Sequence, residues 1–282
     1  MTSAALLPAS LSRPTRHLFL SPHYDDVPLS AGGTVRLLAD HGTSPESLVV
    51  FGSEPDPAQP LTPFARSLHD AWGLDAADVI ASRRAEEHAA AAMLGAVTDV
   101  LPFRDAIYRG SVYLSDDDLF GTPAAAESTL PGEIIASLAL QGAPDPATRV
   151  YAPLGVGRHV DHQTVFRAAA DLAAAGWDVW FYEDIPYALK PNAFDSRLAD
   201  VARSTPLDPV ARIPVESTWG AKIDAIMRYP SQLETVFRAY VGVGTSRAEI
   251  DEALAAYARD GGEGTLTERF WRISDPATAA GS

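Results

Sequence analysis

The sequence contains no cysteine, few basic residues relative to acidic ones, and no long hydrophobic run. Without cysteine, the chain has no disulfide, no Cys-ligated zinc and no cysteine nucleophile, so histidine, aspartate and glutamate remain as plausible metal ligands. Lys and Arg number 22 against 37 Asp and Glu, and the formal charge of −15 argues against binding to a phosphate backbone. We therefore expect no nucleic-acid partner.

No segment approaches the roughly 20 apolar residues that a membrane-spanning helix requires. Residues 1–16 lack a basic start, and Pro8 and Pro14 interrupt their short apolar run, which is unlike a signal peptide. The sequence therefore predicts a cytoplasmic protein with no membrane partner. It leaves the oligomeric state open, and a homo-oligomer is compatible with it.

Apolar runs that end in proline or glycine alternate with helical patterns along most of the chain. Strands are predicted at 17–21, 47–51, 99–103, 149–154 and 179–182, and helices at 34–39, 63–72, 78–94, 131–140 and 160–175. Such strand–loop–helix repeats predict an α/β fold, a Rossmann-like three-layer sandwich with a mostly parallel sheet that binds ligands beyond its carboxyl edge. Residues 106–130 show no periodicity and are predicted to form a long functional or mobile loop.

The C-terminal part, residues 186–282, mixes strand and helix patterns. Strands are predicted at 210–215 and 269–273, and helices near Lys222 and Ala248. No linker clearly divides the chain, and 282 residues can bury one large core. We expect a single domain over 1–282, with an N-terminal tail over 1–16 and a C-terminal extension that completes the rim of the site.

Side chains of the metal-binding type follow directly on the first predicted strand. Pro22 ends that strand, because proline cannot donate to a sheet ladder. His23, Asp25 and Asp26 come next, and the Gly32-Gly33 pair is predicted to open the following helix. Taken alone, this segment is also compatible with a turn whose acids cap a helix.

A second cluster, His159-Val160-Asp161-His162, begins a later helix. Two nitrogens and one oxygen leave the fourth position of a tetrahedral zinc free for water, and His23, Asp26 and His162 would supply that set. Fe²⁺ or Mn²⁺ would suit the same ligands. Short His/Asp runs also occur by chance at helix starts. This cluster therefore indicates a metal site only in combination with the first one.

The remaining members of the two clusters have separate predicted roles. Asp25 is the candidate general base, because it neighbours a ligand and is free to take a proton from water during attack. A protonated His159 is expected near the oxyanion, and Asp161 is expected to orient one of its two neighbouring histidines. Glu183 and Asp184, after the fifth strand, could support the ligands or line the rim of the site, but a structural role is favoured.

These two motifs resemble those of the LmbE-like or PIG-L family of zinc-dependent N-acetylglucosaminyl deacetylases. The family pattern is an apolar strand, Pro-His-Pro-Asp-Asp, a Gly-Gly pair and a distant His-x-Asp-His, which stand here at 21–26, 32–33 and 159–162. Segment 83–95 is similar to the Arg/Glu helix of the family and 222–232 to its C-terminal motif. The resemblance covers about residues 17 to 273.

The resemblance implies a Rossmann-like fold, the metal and base roles given above, and two substrate contacts. Arg83 matches an arginine that contacts substrate hydroxyls, and Asp105 is a weaker match to an acidic contact; a paired surface arginine and a turn residue are the alternatives. The sequence departs from the pattern where Tyr24 replaces a proline and where Gly157 replaces an aromatic residue. We expect Tyr24 to influence the choice of substrate.

The predicted function is hydrolysis of an N-acyl group, with acetyl favoured, from an amino sugar or a sugar-containing natural-product intermediate. The attacking water would be activated by zinc, with Asp25 as general base. Two alternatives stay open: an amidase that acts on mycothiol-like S-conjugates, and a non-catalytic carbohydrate-binding protein that retains the metal. In each case the expected partner is a small sugar-like molecule.

Overall fold

The computed structural model describes residues 7–73, 78–138, 143–261 and 264–274. The strands are β1 (Arg16–Ser21), β2 (Glu46–Val49), β3 (Val97–Val100), β4 (Thr148–Pro153), β5 (Asp178–Tyr182), β6 (Leu207–Pro214) and β7 (Thr267–Ile273). They form a seven-stranded sheet in the order β3-β2-β1-β4-β5-β7-β6. The first five positions of that order are parallel, whereas β7 pairs antiparallel with both β5 and β6.

Helices connect the strands and cover the sheet. They are α1 (Ala9–Ser12), α2 (Asp26–Asp40), α3 (Pro63–Trp72), α4 (Val79–Leu94), α5 (Asp116–Leu119), α6 (Leu130–Ser137), α7 (Val160–Ala174), α8 (Ala193–Val201), α9 (Trp219–Ile226), α10 (Pro230–Leu233) and α11 (Arg247–Asp260), with a π-helix over Glu234–Ala239. Helices α2, α4 and α9 pack together, and α6 packs on α7. Across the described ranges, no helix combines the length and apolarity needed to cross a membrane.

The two central strands are buried along nearly their whole length, as expected for parallel strands covered on both faces. Phe19 on β1 stacks on Tyr151 of β4, with ring centroids 4.1 Å apart. The register pairs Leu18 with Val150, so both strands end at the same edge of the sheet. The predicted α/β class with a mostly parallel sheet is confirmed.

Helix α2 begins eight residues earlier than predicted, at Asp26 rather than Thr34, and the glycine pair lies inside it. A β-carbon on Gly33 would lie 2.8 Å from Val215 and 3.0 Å from Glu268 Oε1, so this glycine serves close packing against the C-terminal part of the chain. The prediction that Gly32-Gly33 opens the helix is therefore wrong. Sequence pattern does not separate a glycine at a helix start from one at a close helix contact.

Other boundaries also differ from the predictions. The third strand spans Val97–Val100, before Pro102, rather than 99–103. Loop 106–130 contains helix α5 and 3₁₀ turns at Ala106–Tyr108 and Ala125–Glu127. Helix α8 was not predicted, and residues 139–140 of the predicted helix 131–140 lie outside the described residues.

His17 on β1 is 1% exposed, and its Nδ1 lies 2.9 Å from the Tyr151 hydroxyl oxygen. Burial and the nearby Arg149 charge lower the pKa of His17 to about 4. Because the folded state then binds this proton less readily than the unfolded state, the contribution of His17 to stability is present above about pH 6.5 and declines as the pH falls towards 4. We expect this decline to amount to about 2–3 kcal/mol.

The His17→Asn variant tests this expectation, because asparagine places a polar atom near the position of Nδ1 and does not titrate. Urea unfolding of metal-free protein at pH 7 and pH 4.5 should show a smaller loss of stability in the variant than in the wild type. Equal losses in both proteins would show that His17 does not contribute to acid sensitivity.

Candidate active site

The segments that follow β1, β4 and β5 converge on one cavity of about 520 Å³. Its lining includes His23, Asp25 and Asp26 from the first segment and His159 from the second. Residues of loop 106–130 and of the C-terminal part form its other walls, among them Ile107, Phe120, Tyr187, Lys190, Val236 and Tyr240. The cavity thus lies beyond the carboxyl edge of the sheet, where α/β folds bind ligands.

Asp26, which lines the cavity, lies between two histidines, and each of these two contacts has the spacing of neighbouring metal ligands. Asp26 Oδ2 lies 3.4 Å from His23 Nδ1 and 3.4 Å from His162 Nε2. Ligand atoms held about 2.0–2.1 Å from a tetrahedral ion lie about 3.3–3.4 Å from one another. His162 Nε2 is buried and has no hydrogen-bond partner among the described residues. Asp26 Oδ2 and the two histidine nitrogens are therefore candidate ligands of a divalent cation.

Each histidine of this set has its second nitrogen held by a carboxylate. His23 Nε2 lies 3.0 Å from Asp161 Oδ2, and His162 Nδ1 lies 2.6 Å from Asp184 Oδ1. When these nitrogens donate to the carboxylates, the opposite ring nitrogens keep a lone pair for a metal. The Asp161 side chain thus orients His23, not a neighbouring histidine as expected from the sequence. Asp184 orients His162, which the sequence did not reveal.

Two groups of three, neither of which includes Asp26, have ligand atoms that all lie within 4.8 Å of one another and could hold an ion. They are His23 with His159 and His162, and His23 with Asp105 and Asp161. His159 Nδ1 already accepts the Asp161 backbone N–H, and the Asp161 oxygens already contact a guanidinium, a backbone N–H and His23. Asp26 Oδ2, in contrast, lies 3.4 Å from a nitrogen of each of two histidines, so we favour His23, Asp26 and His162 as the candidate set.

Protons compete with a cation for the side chains of His23, Asp26 and His162. Burial lowers the pKa of His23, but the carboxylates of Asp105, Asp161 and Asp26 outweigh burial and raise this pKa well above its usual value. Burial raises the pKa of Asp26, but His162 and His23 outweigh burial and lower this pKa to about 2. Because histidine binds a metal only when neutral, metal affinity should fall as the pH is lowered.

Asp25 adjoins the candidate metal ligands His23 and Asp26 in sequence, and its own carboxylate lines the cavity. Its φ of 145° is unusual for a residue other than glycine, a kind of strain that clusters at functional sites. Burial and the Asp26 charge raise the pKa of Asp25 to about 8, partly offset by Arg83, whose Nη2 lies 3.9 Å from Asp25 Oδ1. A bound cation would favour the ionised form, which is the form able to accept a proton.

His159 precedes α7, and its Nδ1 accepts the backbone N–H of Asp161 at 3.2 Å. This contact places the ring proton on Nε2. Burial and the positive charge of His23 hold the pKa of His159 well below its usual value. The structure thus favours a neutral imidazole that donates from Nε2, in contrast to the protonated ring expected from the sequence.

The predicted substrate-binding residues occupy different environments. Arg83 and Asp105 line the cavity, and both are buried. The Arg83 guanidinium also lies 5.0 Å from the Trp72 ring. Tyr24 does not line the cavity: it is 1% exposed, its hydroxyl donates to the Gly52 carbonyl at 2.6 Å, and it supports the Arg83 guanidinium from 5.7 Å. Any effect of Tyr24 on substrate choice must pass through its neighbours.

Gly157 lies near the aromatic wall of the cavity. It has a φ of +86°, and a β-carbon there would lie 2.6 Å from the Tyr187 ring. Tyr187 stands edge-on to His162, with ring centroids 5.3 Å apart. The space beside His162 is therefore filled by an aromatic side chain from the segment after β5. Sequence spacing could not predict this contact.

A family model described as GlcNAc-PI de-N-acetylase, PIG-L, matches residues 18–173, more than half of the chain. The chain belongs to the PIG-L family. This confirms the resemblance inferred from the two motifs. The PIG-L model spans both motifs and therefore all three residues of the favoured metal set.

Two curated relatives are 2'-N-acetylparomamine deacetylases. The protein from Niallia circulans is 29% identical over 234 residues, which cover 78% of this chain and 82% of that protein. The protein from Streptomyces fradiae is 33% identical over 229 residues, covering 78% and 74%. A crystal structure of a deacetylase of teicoplanin biosynthesis has a TM-score of 0.72 at 23% identity, covering 93% of this chain and 99% of that one, which supports the fold.

Proposed function

We propose that this PIG-L protein is a metal-dependent hydrolase that removes an N-acetyl group from an amino sugar within a larger small-molecule glycoside. The observation that carries the proposal is the arrangement of two adjacent carboxylates with different tasks. Asp26 lies between two histidine nitrogens, whereas Asp25 is left free beside them in the same cavity. The deacetylase relatives support the same reaction class.

His23, Asp26 and His162 would hold the cation, and zinc is the metal we propose. Such an ion supplies a Lewis acid that polarises the amide carbonyl and acidifies water. Asp25 takes a proton from the attacking water and passes it to the amine nitrogen as the C–N bond breaks. His159 donates a hydrogen bond from Nε2 to the carbonyl oxygen as that oxygen becomes negative. The products are acetate and the free amine.

The substrate class follows from the walls of the cavity and from the relatives. A cavity of about 520 Å³ exceeds the space needed for a single monosaccharide, and its aromatic rings suit the apolar faces of sugar rings. Arg83 and Asp105, buried at the base, can bind hydroxyl groups. We infer that an acetylated aminoglycoside precursor resembles the substrate more closely than free N-acetylglucosamine does.

The proposal is tested with purified protein and 2'-N-acetylparomamine, N-acetylglucosamine and a mycothiol S-conjugate, with detection of the released amine. We expect turnover of the first substrate, a loss of turnover after chelation, and its recovery on addition of zinc. Turnover that is indifferent to chelation contradicts the metal role. Binding of the sugars with no amine release from any of them contradicts the hydrolase and supports a carbohydrate-binding protein.

A further inference from the structure

Arg109 is a partly buried cation of loop 106–130, with its side chain 14% exposed, and no sequence motif marks it. Its Nη2 lies 2.7 Å from Asp161 Oδ1, its Nε donates to Glu127 at 2.7 Å, and its Nη1 donates to the Arg104 carbonyl at 2.8 Å. The aromatic ring of Phe51 packs 5.0 Å from the guanidinium carbon. These contacts hold the guanidinium in one orientation.

The partner of Arg109 is the carboxylate that orients a metal ligand. Asp161 is completely buried, and its Oδ2 accepts the Ala106 N–H and lies 3.0 Å from His23 Nε2. Its other oxygen, Oδ1, has no regular hydrogen bond among the described residues and lies 2.7 Å from Arg109 Nη2 as an ion pair. The Asp161 carboxylate is thus held at Oδ2 by Ala106 and His23, and Arg109 faces its Oδ1.

We propose that Arg109 is a positioning residue for the metal site, which holds the Asp161 carboxylate in place so that Asp161 fixes the His23 ring with Nδ1 towards the cation. This inference rests on the metal site of the proposed function. Arg109 does not touch the metal or the substrate and acts through Asp161. Through Glu127, the same guanidinium ties the metal site to the loop that carries Phe120 in the cavity wall.

The planar guanidinium is suited to this task because its nitrogens contact the carboxylates of Asp161 and Glu127 in fixed directions. A lysine ammonium is a point charge on a flexible stem and does not reproduce that fork. Arg109→Lys should therefore lose part of the function although it keeps the charge. Arg109→Gln should lose both the charge and the fork.

The test is the Zn²⁺ affinity of metal-free protein, measured by competition with a chromophoric chelator in the absence of substrate. Partners that orient metal-binding histidines are typically worth 10–100-fold in affinity, and we expect a loss in this range for Arg109→Gln. The matched control is Arg104→Gln, an exposed arginine five residues earlier whose Nη2 lies 3.7 Å from Asp56. This control should bind zinc within twofold of the wild type.

A double-variant comparison separates positioning through Asp161 from general damage. If Arg109 acts through Asp161, the Asp161→Asn and Asp161→Asn/Arg109→Gln proteins should bind zinc with the same affinity. Additive losses, or wild-type affinity in Arg109→Gln, overturn the inference. Should Arg109→Gln not fold, Arg109→Lys carries the comparison: an affinity at least fivefold weaker supports the inference, and wild-type affinity overturns it.

The outcome is independent of catalysis. A wild-type protein that releases no amine would overturn the proposed function, while weak zinc binding by Arg109→Gln would still support the positioning role. Conversely, an active deacetylase whose zinc affinity is unchanged by Arg109→Gln would retain the function and lose this inference.

Discussion

Asp25→Asn should reduce kcat/KM for amide hydrolysis by about 10²–10⁴-fold, the usual contribution of a general base. The amide of asparagine keeps the size of the side chain but cannot take a proton from the attacking water. His23, Asp26 and His162 are unchanged, so zinc affinity should stay within a few-fold of the wild type. The measurement is amine release under kcat/KM conditions, together with metal content.

Stability should not decrease in this variant. Burial and the Asp26 charge raise the pKa of Asp25, which means that the folded protein opposes the charged form. Removing that charge leaves the unfolding free energy equal or higher, whereas a variant that damaged the fold would lower it. Urea unfolding thus separates loss of chemistry from loss of structure.

The matched control is Asp40→Asn, the same substitution at the other end of α2. Asp40 is exposed and pairs with Arg36 on the helix surface. The kcat/KM of the Asp40→Asn variant should equal that of the wild type. Substantial turnover by Asp25→Asn with full metal content would remove Asp25 from the role of base, and His159 would become the group to test next.

The residues that we assign to the metal could be predicted to meet, because they follow strand ends that the sheet brings together. His23 and Asp26 follow β1, His162 follows β4, and these strands are parallel neighbours. Parallel neighbours end at the same edge, so two distant motifs meet without any knowledge of side-chain contacts. Apolar runs ended by proline located both strands to within one or two residues.

The partners of those ligands could not be predicted in the same way. Asp184 and Arg109 reach His162 and Asp161 through side-chain directions that depend on the whole fold. Asp161 shows the limit most clearly, because its side chain turns to His23 rather than to the histidines beside it in sequence. Tyr24 likewise adjoins a ligand in sequence but points to Gly52.

Part of the cavity wall is formed by backbone that sequence patterns do not specify. The π-helix over Glu234–Ala239 carries Thr235, Val236 and Ala239 into the lining. Such i→i+5 turns are rare and lie frequently at functional sites. The segment 222–232 resembles a family motif, but that resemblance does not predict the π-helix that follows it. This π-helix packs against α3.

The largest stability effect is expected at a buried ion pair that also explains the glycine inside α2. Glu268 on β7 accepts the backbone N–H groups of Gly33 and Thr34 at 2.9 and 2.7 Å, and the Lys222 ammonium at 2.7 Å. Glu268 is 5% and Lys222 is 3% exposed. One carboxylate therefore joins α2, α9 and β7.

Glu268→Gln should lower the unfolding free energy by about 3–5 kcal/mol, because it leaves the Lys222 ammonium buried without a charged partner. Lys222→Met should cost less, since the two N–H groups of α2 still bind the carboxylate. The double variant should lose less than the sum of the single losses, because the first substitution already breaks the pair. Urea unfolding at constant metal loading gives these three values.

The surface pair Arg247–Asp224 supplies the contrast. Both side chains are 48% exposed with a separation of 2.8 Å, so Arg247→Met should cost at most about 1 kcal/mol despite a distance like that of the buried pair. Similar losses for Arg247→Met and Glu268→Gln would mean that burial does not govern the Glu268 interaction. A larger loss for Lys222→Met than for Glu268→Gln would mean that the backbone donors of α2 do not support the carboxylate.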